Sequence, residues 1–325
     1  LSDVPDRHRS PPRLGHGAPL ISRKTRNEGE TMADQIGIVG LGNAGLAVAT
    51  ALSNHGPVAG FDMSPERRKL AGEAGIRVEE TLAGLGTPYC SAILLSLPKP
   101  EASLNVVEEV CGWNERPGLI VETSTVTPDT AKRSAAFCAA EGIAYVDAAI
   151  AGGVASMAAG EITFFLGGDE NSKAAAKPLL NRIAAQIFDL GPVGAGMGTK
   201  VVNNGVMHAV MIVLIEAFAM ARKLDVPSET LIQILNREEG LLRPLLHRVG
   251  ERMRDGDYSA GMSVSNARKD SVLALETAQQ LGVPLFATLA SHTPYEIAES
   301  KGMGSQDYAA LARLWEDWCE IDFNH

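Results

Sequence analysis

The run Ile36-Gly37-Ile38-Val39-Gly40-Leu41-Gly42-Asn43-Ala44-Gly45 sets Gly-x-Gly-x-x-Gly directly behind a short apolar run and ahead of a helical pattern. That order of residue types holds a pyrophosphate. Gly40 makes a tight turn, Gly42 lets the backbone approach the phosphates, and Gly45 lets helix and strand pack closely, while the free N–H groups and dipole of the helix N-terminus favour an anion. Leu41, Asn43 and Ala44 complete the expected cradle. Asp62 ends the next apolar run, 22 residues after Gly40. A carboxylate there accepts hydrogen bonds from the adenosine ribose hydroxyls and repels a 2′-phosphate, which reads as NAD. Arg67 and Arg68 carry the opposite message, because they can shield a 2′-phosphate, so NADP stays the second option. The bland alternative for Asp62 is a cap for the helix that opens at Pro65.

Other residues carry chemistry by type and position. Lys200 and Asn204 are four apart, so a helix projects both from one face. A lysine near the N-terminal end of an otherwise apolar helix meets an unfavourable dipole, which makes it odd unless it has a function. Ser124 and Thr125 follow the apolar run 119–122, at the strand end where open α/β sheets bind ligands. Thr127 before Pro128 already supplies a helix cap, leaving Ser124 free. Gly152-Gly153 can turn successive N–H groups toward a carboxylate. Lys269-Asp270, by itself, reads as a surface ion pair. His208 and Glu216 read as satisfied polar groups inside a helix bundle, and Trp315 and Trp318 as packing residues.

These residues need a scaffold, and hydrophobic patterning supplies one. Strands are expected at 36–39, 58–61, 92–97, 119–122, 144–146, 162–166 and 186–189. Helices are expected at 44–54, 65–74, 101–111, 128–140 and 172–185. Apolar strands of this length alternating with helices imply parallel βαβ units covered on both faces. After Gly191-Pro192 the pattern is helical, with helices expected at 200–222, 228–237, 264–280 and 308–318. The fold class is thus a Rossmann-type parallel sheet domain, 32–193, followed by an all-helical domain, 194–325. The helix at 200–222 is apolar on nearly all sides, so it must be buried against other helices or a partner chain.

Composition narrows the function class. With 45% hydrophobic residues the 325-residue chain has ample material for buried cores. Its 29 basic and 39 acidic residues give a net charge of −10, which disfavours nucleic acid as the principal partner. Residues 1–31 hold six basic and four acidic residues, so the other 294 carry −12. That leader reads as a disordered tail, upstream sequence before a natural start at Met32, rather than a targeting segment. Cys90, Cys111, Cys138 and Cys319 are far apart, without a metal-ligand spacing or a disulfide framework, which fits a reducing cytoplasm. No membrane span is read, since the apolar stretch 205–221 is interrupted and short.

Taken together, these segments resemble the β-hydroxyacid dehydrogenase family, which includes 3-hydroxyisobutyrate dehydrogenase and tartronate semialdehyde reductase. The most specific element is Gly194-Ala195-Gly196-Met197-Gly198-Thr199-Lys200-Val201-Val202-Asn203-Asn204, similar to the family's Gly-x-Gly-x-x-x-Lys-x-x-x-Asn. The resemblance implies that Lys200 is the acid/base residue and that Asn204 orients the substrate hydroxyl. It implies that Ser124 contacts the substrate carboxylate with Gly152 and Gly153. It places Thr125, Leu97-Pro98 and Lys269 at the cofactor, and Asp270 beside Lys269. The segment Asp147-Ala148-Ala149-Ile150-Ala151-Gly152-Gly153 departs from the family's Asp-Ala-Pro-Val-Ser-Gly-Gly, because Ala149 and Ala151 stand for its Pro and Ser. The implied activity is NAD-dependent oxidation of a small 3-hydroxy acid, without a metal, in a homodimer or homotetramer joined through the helical domain. Two related activities are weighed beside it, 6-phosphogluconate dehydrogenase and imine reductase, and so is a catalytically silent NAD-binding scaffold.

Overall fold

The computed structural model describes residues 34–237, 240–259 and 261–324. The expectations for residues 1–31 lie outside them. The first part contains β1 (Gln35–Val39), α1 (Asn43–Ser53), β2 (Val58–Phe61), α2 (Pro65–Glu73), β3 (Arg77–Val78), β4 (Cys90–Leu95) and α3 (Pro100–Cys111). It continues with β5 (Leu119–Glu122), α4 (Pro128–Ala140), β6 (Ala144–Ala151), α5 (Val154–Ala158), β7 (Ile162–Gly167), α6 (Glu170–Leu180) and β8 (Ala184–Asp189). These strands form one eight-stranded sheet in the order β3-β2-β1-β4-β5-β6-β7-β8. The expected α/β class is therefore the observed one.

Both sheet faces are covered, which is why the central strands read as nearly continuous apolar runs. Ile38, Leu94, Val121 and Val146 pack in one layer with Val48 and Leu52 of α1 and with α6. Val39, Ile93, Ile120 and Tyr145 face the other way, toward Val107 of α3 and Ala131 of α4.

The sheet departs from the expected parallel pattern at one place. β6 and β7 pair antiparallel, with Asp147 opposite Gly167 and Ala151 opposite Thr163. A parallel return needs a crossover of a dozen or more residues. The segment holding α5, a helix of 5 residues, is too short for one. The helix expected at 172–185 opens earlier, because Asp169 accepts the N–H groups of Asn171 and Ser172 at 3.0 Å each.

Beyond β8 the chain is helical: α7 (Ala195–Lys223), α8 (Ser228–Asn236), a π-helical stretch (Pro244–Met253), α9 (Val264–Leu281), α10 (Phe286–Ser300), a 3-10 turn (Tyr308–Leu311) and α11 (Ala312–Cys319). A smaller core of Tyr258, Val264, Ala298, Met303 and Leu314 holds its far end. Glu216 of α7 accepts the N–H of Ala287 at 2.7 Å and that of Thr288 at 3.1 Å, and so caps α10.

One expectation needs correction here, that for His208, and two take a more definite form. α7 is not buried within the chain, which leaves a partner chain as the cover the sequence calls for. Among its buried residues are Gly196, Met197, Glu216 and Ala221, while Val202 is 67% and Met211 56% exposed. The helices that follow cover only part of its length. His208 is exposed rather than enclosed in a bundle. Trp315 and Trp318 are half-exposed and pack edge-on against each other, with ring centroids 5.3 Å apart.

Candidate active site

The strand order reverses between β1 and β4, and a cleft of about 940 Å³ opens there, where such sheets take their ligands. Gly40, Gly42, Asn43, Ala44, Asp62, Leu97 and Pro98 line it. Gly40 has φ +94°, and a Cβ on it would stand 2.2 Å from the Ser96 carbonyl oxygen. A Cβ on Gly45 would stand 1.9 Å from the Gly40 carbonyl oxygen, so this glycine lies behind the turn and lets α1 close on it. In front of Gly42 the space is open. No side chain caps the first turn of α1, so its N–H groups face the cleft. Open cradle and uncapped helix end together fit a dinucleotide pyrophosphate. The Leu41 side chain is buried in the core, and its contribution is a backbone N–H that donates to Asp62 Oδ2 at 2.7 Å.

Asp62 also accepts the Ser64 N–H at 2.8 Å, so its carboxylate is fixed over the glycine turn. Ser64, not Asp62, caps α2 by accepting from Arg67 N. Arg68 donates to the Asp62 carbonyl at 2.8 Å and pairs with Glu80 at 3.2 Å. Arg67 lines the cleft and donates to Asn43 Oδ1 at 3.0 Å.

At the end of β5 the structure corrects the sequence reading. Ser124 is buried, and its hydroxyl accepts the Leu97 N–H at 2.7 Å and lies 3.3 Å from the Ser103 hydroxyl. It is not free. It fastens the turn after β5 to the Leu97-Pro98 loop after β4. Thr125, one residue on, is exposed. Thr127 caps α4, accepting from Thr130 N at 3.1 Å.

Asp147 is a positioning residue that the sequence reading missed. It is fully buried in β6, yet its Oδ1 accepts the Gly194 N–H and its Oδ2 the Met197 N–H, each at 2.8 Å. A carboxylate from a distant strand thus caps the start of α7. Burial pushes this carboxyl up from its ordinary value, and the N–H groups of Gly194 and Met197 oppose that shift. A Cβ on Gly196 would stand 2.3 Å from the Phe165 carbonyl oxygen, so the glycine lets α7 seat against the sheet. Lys200 follows Met197 by three residues and is partly buried. Among the described residues no hydrogen-bond or ion-pair partner meets its ammonium, and burial lowers it from the ordinary lysine value. Asn204 is partly buried one turn on, and its Oδ1 is 3.5 Å from Nδ2 of Asn203.

Gly152 (φ +139°) and Gly153 follow β6, are exposed, and have open space where a Cβ would be. Lys269 is not brought to the cleft. It lies exposed on α9, 3.2 Å from Asp270.

A reversed-order Rossmann sheet with an open glycine cradle, continued by an anchored helix bearing a lysine that meets no partner among the described residues, defines a nicotinamide-dinucleotide oxidoreductase. Residues 35–209 match the NAD binding domain of 6-phosphogluconate dehydrogenase. Residues 194–315 match the NAD-binding region of NADP-dependent 3-hydroxyisobutyrate dehydrogenase. A 2-(hydroxymethyl)glutarate dehydrogenase from Eubacterium barkeri is 29% identical over 286 residues, 87% of this chain and 95% of its own. The solved structure of the Mycobacterium tuberculosis 3-hydroxyisobutyrate dehydrogenase with L-serine is 26% identical, with a TM-score of 0.59, covering 87% of this chain and 99% of its own. An imine reductase from a Pseudomonas species shares the fold, with a TM-score of 0.78 at 21% identity over 86% of this chain and 99% of its own. The chain belongs to the β-hydroxyacid dehydrogenase family and binds NAD(P).

Proposed function

We propose that this protein interconverts a small 3-hydroxy acid and its semialdehyde, with NAD as hydride carrier. One observation carries the reading: a partly buried lysine that meets no partner among the described residues, on a helix whose start is pinned to the sheet by Asp147. The bound nicotinamide supplies the hydride acceptor. The chain's own part is proton handling. Lys200 takes the proton from the hydroxyl in oxidation and returns it in reduction, and the lowering of its pKa by burial brings the neutral amine closer to the working pH. Asn204, on the same face, orients the hydroxyl. The Gly152-Gly153 turn and Ser124 hold the carboxylate, Ser124 through the turn it fastens. The cradle takes the dinucleotide, and Thr125 borders its nicotinamide half. NADH formation from NAD and a panel of 3-hydroxy acids tests the assignment; tight NAD binding without turnover of any member would leave a silent scaffold.

NAD preference is supported by the fixed Asp62 carboxylate at the end of β2. Asp62→Ala is expected to narrow discrimination against NADP by about tenfold or more, through loss of like-charge repulsion and of the ribose acceptor. An unchanged preference in steady-state kinetics would assign the selection to another group, with Arg67 the first to examine.

The apolar residues α7 leaves exposed support association with a second copy through the helical part. Light scattering at micromolar protein is expected to report a homodimer or homotetramer, and a monomer there would sink this part of the reading. A cytoplasmic location belongs to the same reading and is supported by the four free cysteines.

A further inference from the structure

Below the Ser124 turn two carboxyl groups stand in register on adjacent strands, Glu122 at the end of β5 and Asp147 in β6. Both are fully buried. Their strand neighbours Ile120, Tyr145 and Ala149 belong to the layer that packs under α3, α4 and Met197 of α7, and strand alternation puts the two carboxyls on that same side. Among the described residues, no lysine or arginine pairs with either one.

Their hydrogen-bond supply is unequal. Asp147 receives an N–H on each oxygen, Gly194 and Met197 at 2.8 Å, which suits a carboxylate. Glu122 receives the Ser124 N–H on Oε1 at 2.9 Å, and its Oε2 has no partner among the described residues. The hydroxyls of Tyr145 and Ser134 are buried beside one another, and neither donates to Glu122. An ionised carboxylate with a bare oxygen in an apolar layer is costly, whereas the protonated acid gains a donor and removes repulsion with its neighbour.

We propose that Glu122 is a positioning residue held as the neutral acid, so that the buried pair carries a single negative charge, on Asp147. The division matters because each member holds a different part of the site. Glu122 holds the Ser124 N–H, and Ser124 in turn holds the Leu97 N–H of the cofactor loop. Asp147 holds the helix of Lys200. A second charge on Glu122 would push these two holds apart.

The titratable groups facing Glu122 agree with this. Burial pushes it up to about 7, the neighbouring Ser124 and Ser103 pull the other way, and the Asp147 charge adds to the rise. Tyr145 faces it from β6, with Cys138 of α4 behind that ring, and neither brings a compensating positive charge. Because the folded value lies above the ordinary 4.5, the folded chain keeps a proton that the unfolded chain has lost. Stability therefore falls as pH rises from about 4.5 to about 7, and this contribution is level above that.

The test compares the wild type with Glu122→Gln, which cannot ionise, and Glu122→Leu, which cannot accept the Ser124 N–H. Three readouts are taken across pH: thermal unfolding, NADH binding by fluorescence, and kcat/KM in the oxidation direction, where loss of the Lys200 proton aids the reaction and cannot cause a falling limb. For the wild type, unfolding temperature should fall toward neutral pH and NADH affinity should weaken several-fold above it. Oxidation should lose kcat/KM by several-fold over the same range and then level off. Glu122→Gln should flatten all three profiles relative to the wild type, and it should restore the cofactor affinity that Glu122→Leu loses. The kinetic arm rests on the hydroxy-acid reading, whereas the binding and unfolding arms do not; absent turnover would sink only that reading. Superimposable binding and unfolding profiles for wild type and Glu122→Gln would overturn the proposal. If Glu122→Gln does not fold, the infrared carbonyl band of a protonated carboxylic acid in the wild type near neutral pH decides, and its absence is equally fatal.

Discussion

Replacing Lys200 by alanine is expected to lower kcat for hydroxy-acid oxidation by about 10³-fold, within the span of a positioned general acid or base, while NADH affinity stays within a few fold. The two halves of this expectation come from different parts of the molecule. The cofactor cradle is built from β1, the start of α1, Asp62 and the Leu97-Pro98 loop, and Lys200 does not line it. The proton transfer depends on an ammonium that has no partner to replace it among the described residues. Lys200→Arg keeps a cation but cannot lose its proton at working pH, so it should be nearly as slow as the alanine variant. Near-normal turnover in either variant would remove Lys200 from the mechanism.

Asp147→Asn should produce the second large effect. The amide oxygen can accept one of the two N–H groups, but the amide nitrogen then faces the other, leaving it buried without an acceptor. That costs about 1–3 kcal/mol, and the favourable charge at the start of α7 is lost as well. Unfolding temperature should drop by about 5–10 °C. Turnover should fall by about 10²-fold, because a displacement of about 1 Å in the helix start moves the reacting group out of alignment. NADH binding should be nearly unchanged. Wild-type kcat in the Asp147→Asn variant would mean that Gly196 seats the helix unaided.

The parts of the site legible in the sequence were those whose cause is local. The glycine turn works through three residues within six positions, and Asp62 ends the very next strand. Thr127 before Pro128 declares a helix start on its own. What escaped was set by long-range pairing. Asp147 reads as one polar residue in an apolar strand until Gly194 and Met197 arrive from 47 and 50 positions away. Ser124 reads as free because the group that occupies it, the Leu97 N–H, belongs to a different strand end. The same holds for the fold. Parallel pairing was legible wherever a helix long enough to cross over lay between strands, and it failed at β7, where the intervening helix is too short. β3 has two residues, too few for a period, and α10 carries Pro294 inside it, which hid it from the pattern.

The Asp147 cap has a mechanical side. α7 is a rod of 29 residues, about 43 Å long, fastened to the sheet at its first turn and tied to α10 by Glu216 farther along. Pivoted at Asp147, a tilt of about 5° swings the far end by nearly 4 Å, yet Lys200, about 4.5 Å from the fulcrum, moves by roughly 0.4 Å. Fastening the rod beside Lys200 keeps that residue almost still while the far end of α7 swings, so a tilt of the helical part leaves the proposed proton donor in place.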